Sequence, residues 1–253
     1  MLVLALDTTT RAGSLALARD GHLLEAWSGD PALTHAARLP GDILDILRRH
    51  ALSLADVDLY GVASGPGSFT GLRIGIATIQ GLAFAARRPV AGVSALEALT
   101  WSAPASPAPD TLVAAWMDAR REEVFATLSA TGGAADPPVI AGPDVARPAM
   151  VLERWEPHLG SRPVLWVGDG AVACRAAIES AAGGRPWTVL TAVPPLAPAI
   201  AEIAARRAAE GRATAPHAVR PVYVRRPDAE LARDRRRDAA LSGSGPSGRE
   251  DRP

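Results

Sequence analysis

The sequence predicts an α/β protein built from two copies of one unit, each with the element order βββαβα. Three observations predict it. The chain has 253 residues, 48% of them apolar, enough for one large domain or two small ones with real cores. Short apolar runs open each half, and in both the first run ends on an aspartate, Asp7 and Asp118. After each opening group, helical spacing, a buried run and helical spacing follow again.

The elements justify this in order. Leu2 to Leu6 is an apolar run ending at Asp7-Thr8-Thr9-Thr10. Ser14 to Arg19 and His22 to Trp27 flank Asp20-Gly21, a pair that tolerates positive φ and marks a hairpin. Leu33 to Leu52 carries Leu39, Ile43, Ile46 and Leu47 at helical spacing, with Pro40-Gly41 predicting a kink or a later start. Val57 to Ala63 reads as a buried strand, entering Ser64-Gly65-Pro66-Gly67-Ser68-Phe69-Thr70 and then a helix from Gly71 to about Ala86. Beyond a Pro/Ala/Ser stretch, the strands Leu112 to Met117, Glu123 to Ser129 and one around Val139 repeat the pattern. A helix within Asp144 to Leu159, a strand Val164 to Val167 and a helix Val172 to Ala182 holding Cys174 follow. Leu196 to Gly211 is a last helix, and Pro221 to Arg225 an extended segment. This duplicated order is that of the actin-like (ASKHA / ribonuclease H-like) architecture. The expected division is a first lobe over 1–103, a linker over 104–109, a second lobe with its C-terminal helix and extended segment over 110–226, and a disordered tail over 227–253.

Composition removes several function classes. Basic and acidic residues balance at 27 each, so no overall field draws the chain to nucleic acid or to an anionic membrane. All 27 basic residues are arginine, which excludes a P-loop lysine, a Schiff base and a lysine general base. A single cysteine, Cys174, makes neither an internal disulfide nor a multi-thiolate metal site, and is expected to be a small buried hydrophobe. The start of the chain has no basic region and reads as a strand, and no apolar run is read as spanning a bilayer. A cytoplasmic protein is expected.

The strongest local feature is Gly65-Pro66-Gly67-Ser68-Phe69-Thr70-Gly71-Leu72-Arg73-Ile74-Gly75. Glycines between a strand and a helix start can cradle an anion, or simply make the turn. The spacing misses both the dinucleotide fingerprint, which needs Gly where Thr70 stands, and the P-loop, which needs Lys. Asp7 likewise reads either as a metal or phosphate-water ligand or as a turn cap, and Asp118 stands the same way. Asp7, Thr8, Gly65 and Gly67 are therefore the candidate cofactor contacts. Gly71 and Gly75 lie one helical turn apart, as do Ala77 and Gly81, a small-residue face that suits close approach of another backbone, while Leu72, Ile76 and Ile79 fall on another face. Trp101, Trp116, Trp155 and Trp166 read as core or interface anchors. The arginines at 233, 235, 236 and 237 read as part of a solvated segment.

The run GPGSFTGLRIG resembles the signature of the TsaB (YeaZ-type) family of tRNA threonylcarbamoyladenosine biosynthesis. Leu4 to Thr10, Pro89 to Leu96, Asp118 to Phe125 and the Pro-x-Tyr-x-Arg of Pro221 to Arg225 agree in order and spacing. Glu123 stands where the family usually has Gly, and His35 matches a family histidine usually followed by Ser-Glu. The resemblance implies a fold shared with a catalytic paralogue, TsaD, that binds metal through His-x-x-x-His. The matching positions here are Ala95 and Leu99, so it implies no metal site, no catalytic residue and no cofactor of its own, with ATP or ADP only at an interface shared in the complex. It implies pairing with TsaD, an ATPase partner TsaE, a homodimer when alone and only indirect contact with tRNA. Leu39, Ile43 and Leu47 on one helix and Gly71, Arg73, Gly75 and Thr78 on the next are the expected partner interface. The competing reading is a stand-alone actin-like kinase or glycoprotease-like enzyme, which needs a metal-ligand pair or an adenosine loop. Gly168-Asp169-Gly170 is its one candidate.

Overall fold

A computed structural model describes residues 1–104, 108, 110–130 and 137–225. Strand β1 (Leu2–Asp7) is buried along its whole length, as expected of a central strand with two covered faces. It pairs antiparallel with β2 (Ser14–Arg19), which pairs antiparallel with β3 (His22–Ser28). Asp20 and Gly21 between them have φ of 51° and 81°, the two positive values this hairpin turn requires. Helix α1 (His35–Arg49) follows, then a 3-10 turn and β4 (Leu59–Gly65), parallel to β1. Helix α2 (Phe69–Ala86), strand β5 (Val90–Ser94) and helix α3 (Ala95–Trp101) complete the first half. The sheet order is β3-β2-β1-β4-β5.

The second half repeats this with β6 (Leu112–Asp118), β7 (Val124–Ala130) and β8 (Val139–Ala146), then α4 (Pro148–Leu159) and β9 (Val164–Val167). Two short helices, α5 (Asp169–Ala173) and α6 (Arg175–Ala182), strand β10 (Trp187–Val189) and helix α7 (Ala197–Ala209) end it. Its sheet order, β10-β9-β6-β7-β8, is the first sheet's order read from the other edge. Two mixed sheets of equal topology make the duplicated actin-like fold, but each unit is longer than expected. β5 and β10 extend the βββαβα unit by a strand and α3 extends the first copy by a helix, while α7 is the last helix expected over Leu196 to Gly211.

The helices α3 and α7 change the expected boundaries. Helix α7 lies after the second sheet yet packs across β1, β2, β4 and β5 of the first. Helix α3 closes the first half yet packs on β6 and β7 of the second. The two sheets thus face one another across a shared layer, a single cluster holding Val3, Ala63, Leu99, Val113, Met117 and Ile200. A second cluster lies under α1 and α2, and a third under α4 and α6. The first sheet ends at Ser94 and the second begins at Leu112, while α3 and α7 pack across to the other half's sheet. Residues 105–107 and 109 of the expected linker, and the whole 227–253 tail, lie outside the described residues.

Three smaller expectations are corrected. Helix α1 starts at His35, ahead of Pro40, which corrects the later start; it continues through Pro40, where Ala36 and Pro40 are both exposed, so the carbonyl that loses its donor faces water. Cys174 sits half-buried at the break between α5 and α6 rather than inside one helix. Helix α2, at 18 residues and mean hydropathy 1.3, is long and apolar enough to cross a membrane by length and composition. Its Leu72, Ile76, Ile79 and Ala83 are buried on the first sheet.

Candidate functional site

A cleft of about 850 Å³ opens where the two halves meet. The first half contributes the β1–β2 loop at Thr9, Thr10 and Arg11, the start of α1 at Thr34 and His35, and the glycine-rich loop from Pro66 to the first turn of α2. The second contributes the β6–β7 turn from Asp118 to Arg121, and Asp169. Residues Val222 to Arg225 lie across it.

The strand-end aspartates do the same thing in both halves. Asp7 Oδ1 accepts from the Thr9 amide at 2.8 Å and from Thr9 Oγ1 at 2.6 Å, with Thr10 Oγ1 3.5 Å from Oδ2. Asp118 Oδ1 accepts from the Arg120 amide at 2.7 Å. Each carboxylate caps its own turn two residues on, the Asx geometry. Asp7 is 1% exposed, and burial raises its pKa above the usual carboxylate range, with the charge of Asp169 adding and the Thr9 and Thr10 hydrogen bonds opposing. Asp169 Oδ1 in turn accepts from the Asp118 amide at 3.0 Å and the Gly170 amide at 2.9 Å.

The other cofactor candidates are also engaged within the chain. Thr8 is fully buried and its Oγ1 donates to the Gly71 carbonyl at 2.8 Å. A Cβ at Gly65 would meet the Val222 carbonyl oxygen at 2.5 Å, and at Gly67 Cα of Thr9 at 2.8 Å, so these glycines let backbone pack on backbone. Among Asp7, Thr8, Gly65 and Gly67, only Gly67 lines the cleft. His35 holds the wall in place. Its Nε2 faces the Thr10 carbonyl and its Nδ1 faces an Arg38 guanidinium N–H, each at 3.0 Å, which fixes a neutral ring protonated at Nε2. Burial pushes its pKa down and the Arg38 charge adds, against the Thr10 bond.

The expected partner interface divides. Leu39, Ile43 and Leu47 are 1%, 3% and 1% exposed in the core under α1 and α2, so they are corrected to core residues of this chain. Gly71 and Gly75 are corrected too, for both are buried against Thr8. A Cβ at either position would strike the Thr8 carbonyl oxygen or Oγ1. Arg73 is exposed and Thr78 partly so. With Ala77, Gly81 and Phe84, the last 78% exposed, Arg73 makes an outward stripe at helical spacing. Close approach was rightly expected of Gly71 and Gly75, but the neighbour is the chain's own Thr8, and Gly81 has open space around it.

At the start of α3, Ala95 and Leu99 are 0% and 1% exposed inside the shared core. Glu97, between them, turns out to Arg207 Nη2, with both oxygens at 2.7 Å. Among the described residues no group of three or more His, Cys, Asp or Glu side chains is placed to hold a metal ion. Sequence reasoning gave no role to Tyr223, Arg225 or the Arg120–Glu122 turn, although the Pro-x-Tyr-x-Arg and Asp-Ala-Arg runs were the available signal.

Fold and cleft together define a two-lobed, actin-like protein whose strand-end aspartates cap their own turns. A family model described as "TsaD: tRNA N6-adenosine threonylcarbamoyltransferase" matches residues 31–233. The TsaB protein of Escherichia coli (strain K12), described as a "tRNA threonylcarbamoyladenosine biosynthesis protein", is 40% identical over 125 residues, 49% of this chain and 53% of that one. The TsaB of Haemophilus influenzae is 41% identical over 128 residues, 49% of this chain and 52% of its own length. The chain thus spans about half the length of these curated relatives. A Pseudomonas aeruginosa crystal structure, "an uncharacterized protein with similarity to peptidase YEAZ", matches with a TM-score of 0.72 and 32% identity over 88% of this chain and 99% of that one. The chain belongs to the TsaB (YeaZ-type) family.

Proposed function

We propose that this chain is a non-catalytic subunit of the complex that forms threonylcarbamoyladenosine in tRNA, working in the cytoplasm beside the catalytic paralogue TsaD and the ATPase TsaE. The observation that carries this reading is the burial of Ala95 and Leu99 in the shared core, at the positions matched to the paralogue's two histidines. Neither side chain can ligate a metal, and the packing leaves no room for one. The turn-capping role of Asp7 and Asp118 supports the same reading, since each spends an oxygen on its own backbone. The chain has no cofactor of its own, and ATP or ADP binds only at an interface shared with a partner.

Pairing runs through the outward stripe of α2, with Arg73, Ala77, Thr78, Gly81 and Phe84, together with the exposed Leu44 of α1. The same surface serves a homodimer of the free chain, and tRNA is met only through the partners. The test is reconstitution. Threonylcarbamoyl transfer should require this chain together with TsaD and TsaE, and the chain alone should neither turn over ATP nor bind Fe²⁺ or Zn²⁺ stoichiometrically. Steady ATP turnover by the isolated chain would overturn the proposal in favour of a stand-alone kinase.

A further inference from the structure

The Pro-x-Tyr-x-Arg segment meets the α2 stripe only at Arg73, yet it touches both lobes. On the first, the Val222 amide donates to the Ser64 carbonyl at 2.7 Å. The Tyr223 ring lies 5.1 Å from that of Phe69, and its hydroxyl accepts from Arg73 Nε at 3.2 Å. Two residues on, Arg225 reaches the second lobe. Its Nη1 donates to the Ala119 carbonyl at 2.8 Å and its Nη2 pairs with the Glu123 carboxylate.

Those last two contacts bracket an unusual turn. Arg120, Arg121 and Glu122 have φ of 62°, 57° and 60°, three successive non-glycine residues in the left-handed region. Such a run persists only where its surroundings hold it. The turn is held by the Arg120 amide on Asp118, by the hydrogen bonds between the Ala119 amide and the Glu123 carbonyl and between the Glu123 amide and the Arg120 carbonyl, and by Arg225 on both flanks. The side chains of Arg225 and Glu123 keep 21% and 32% exposure, so this pair can open without unmaking a core.

We propose that Tyr223 and Arg225 form an interlobe clasp that fixes the width of the cleft and keeps the Arg120–Glu122 turn left-handed. Releasing either end of the clasp loosens the turn and the Ser64–Gly71 loop together. Glu123 supplies the anion that closes its far end.

Hydrogen exchange followed by mass spectrometry on the whole chain tests this without any partner. Glu123→Gln removes the ion pair and leaves the packing of Tyr223 on α2 untouched. Tyr223→Phe removes the hydroxyl contact and keeps the ring. Each should speed exchange by about tenfold, the scale of one lost charge-assisted hydrogen bond, in the peptides covering 64–71 and 118–124 alike. Trypsin cleavage after Arg120 or Arg121 should quicken by a similar factor. If Glu123→Gln loosens only 118–124 and Tyr223→Phe only 64–71, the contacts are two independent local ones and there is no clasp.

Discussion

Asp7 shows how a residue that looks functional in sequence can be structural in place. Its folded pKa lies above the ordinary value of 3.8 because it is buried, so its contribution to stability is full below pH 3.8 and is lost as pH rises through the folded value. Asp7→Asn keeps an oxygen for the Thr9 amide and hydroxyl and drops the buried charge. It should melt at the same or a higher temperature at pH 7, with a flatter dependence on pH, and support full transfer in the reconstituted complex. A loss of transfer with an unchanged melting point would restore Asp7 as a ligand. His35 has the opposite signature. Its folded pKa lies below 6.5, so an unfolded chain takes the proton first and stability falls as pH drops below 6.5 toward the folded value. Melting temperatures between pH 7.5 and 5 should fall more steeply for the natural chain than for His35→Gln.

At the scale of elements, α2 separates two kinds of glycine. Gly75→Leu drives a side chain into Thr8, and overpacking of this kind costs typically about 1–3 kcal/mol, so the variant should melt lower even as a monomer. Gly81 has open space around it. Gly81→Leu should leave circular dichroism and melting near or above those of the natural chain, because an interior helix glycine costs about 1 kcal/mol. It should abolish pairing in light scattering if the α2 stripe is the interface. Long periodic elements were legible in the sequence. Leu33–Leu52 contains α1, whose ends are set by the Thr34 and His50 caps, and the Ser68 N-cap sits just ahead of the predicted start at Gly71. The strands β5 and β10 were not. Val90–Ser94 follows Pro89 and holds a glycine, and Trp187–Val189 has three residues, too few for any periodicity to register. The site was half legible. The cleft loops carried signals, but which face of α2 its glycines occupy depends on where Thr8 lies, and no local pattern encodes that.

The whole molecule is set by the helices that cross between lobes. Ile200 of α7 is fully buried against the first sheet, where Gly61 admits it. Ile200→Ala should cost about 2–5 kcal/mol and lower the single melting transition of the whole chain rather than split it. Two separate transitions would show that the halves are independent, against the shared core. The same arrangement has a consequence for synthesis. The first sheet is complete at Ser94, but the helix that covers its inner face starts at Ala197. At about 5–20 residues per second, a ribosome leaves that apolar face bare for roughly 5–20 s while the second half is still being made. The nascent chain therefore carries a greasy, half-finished surface through a large part of its translation, a natural foothold for a chaperone and a hazard when many copies are made at once.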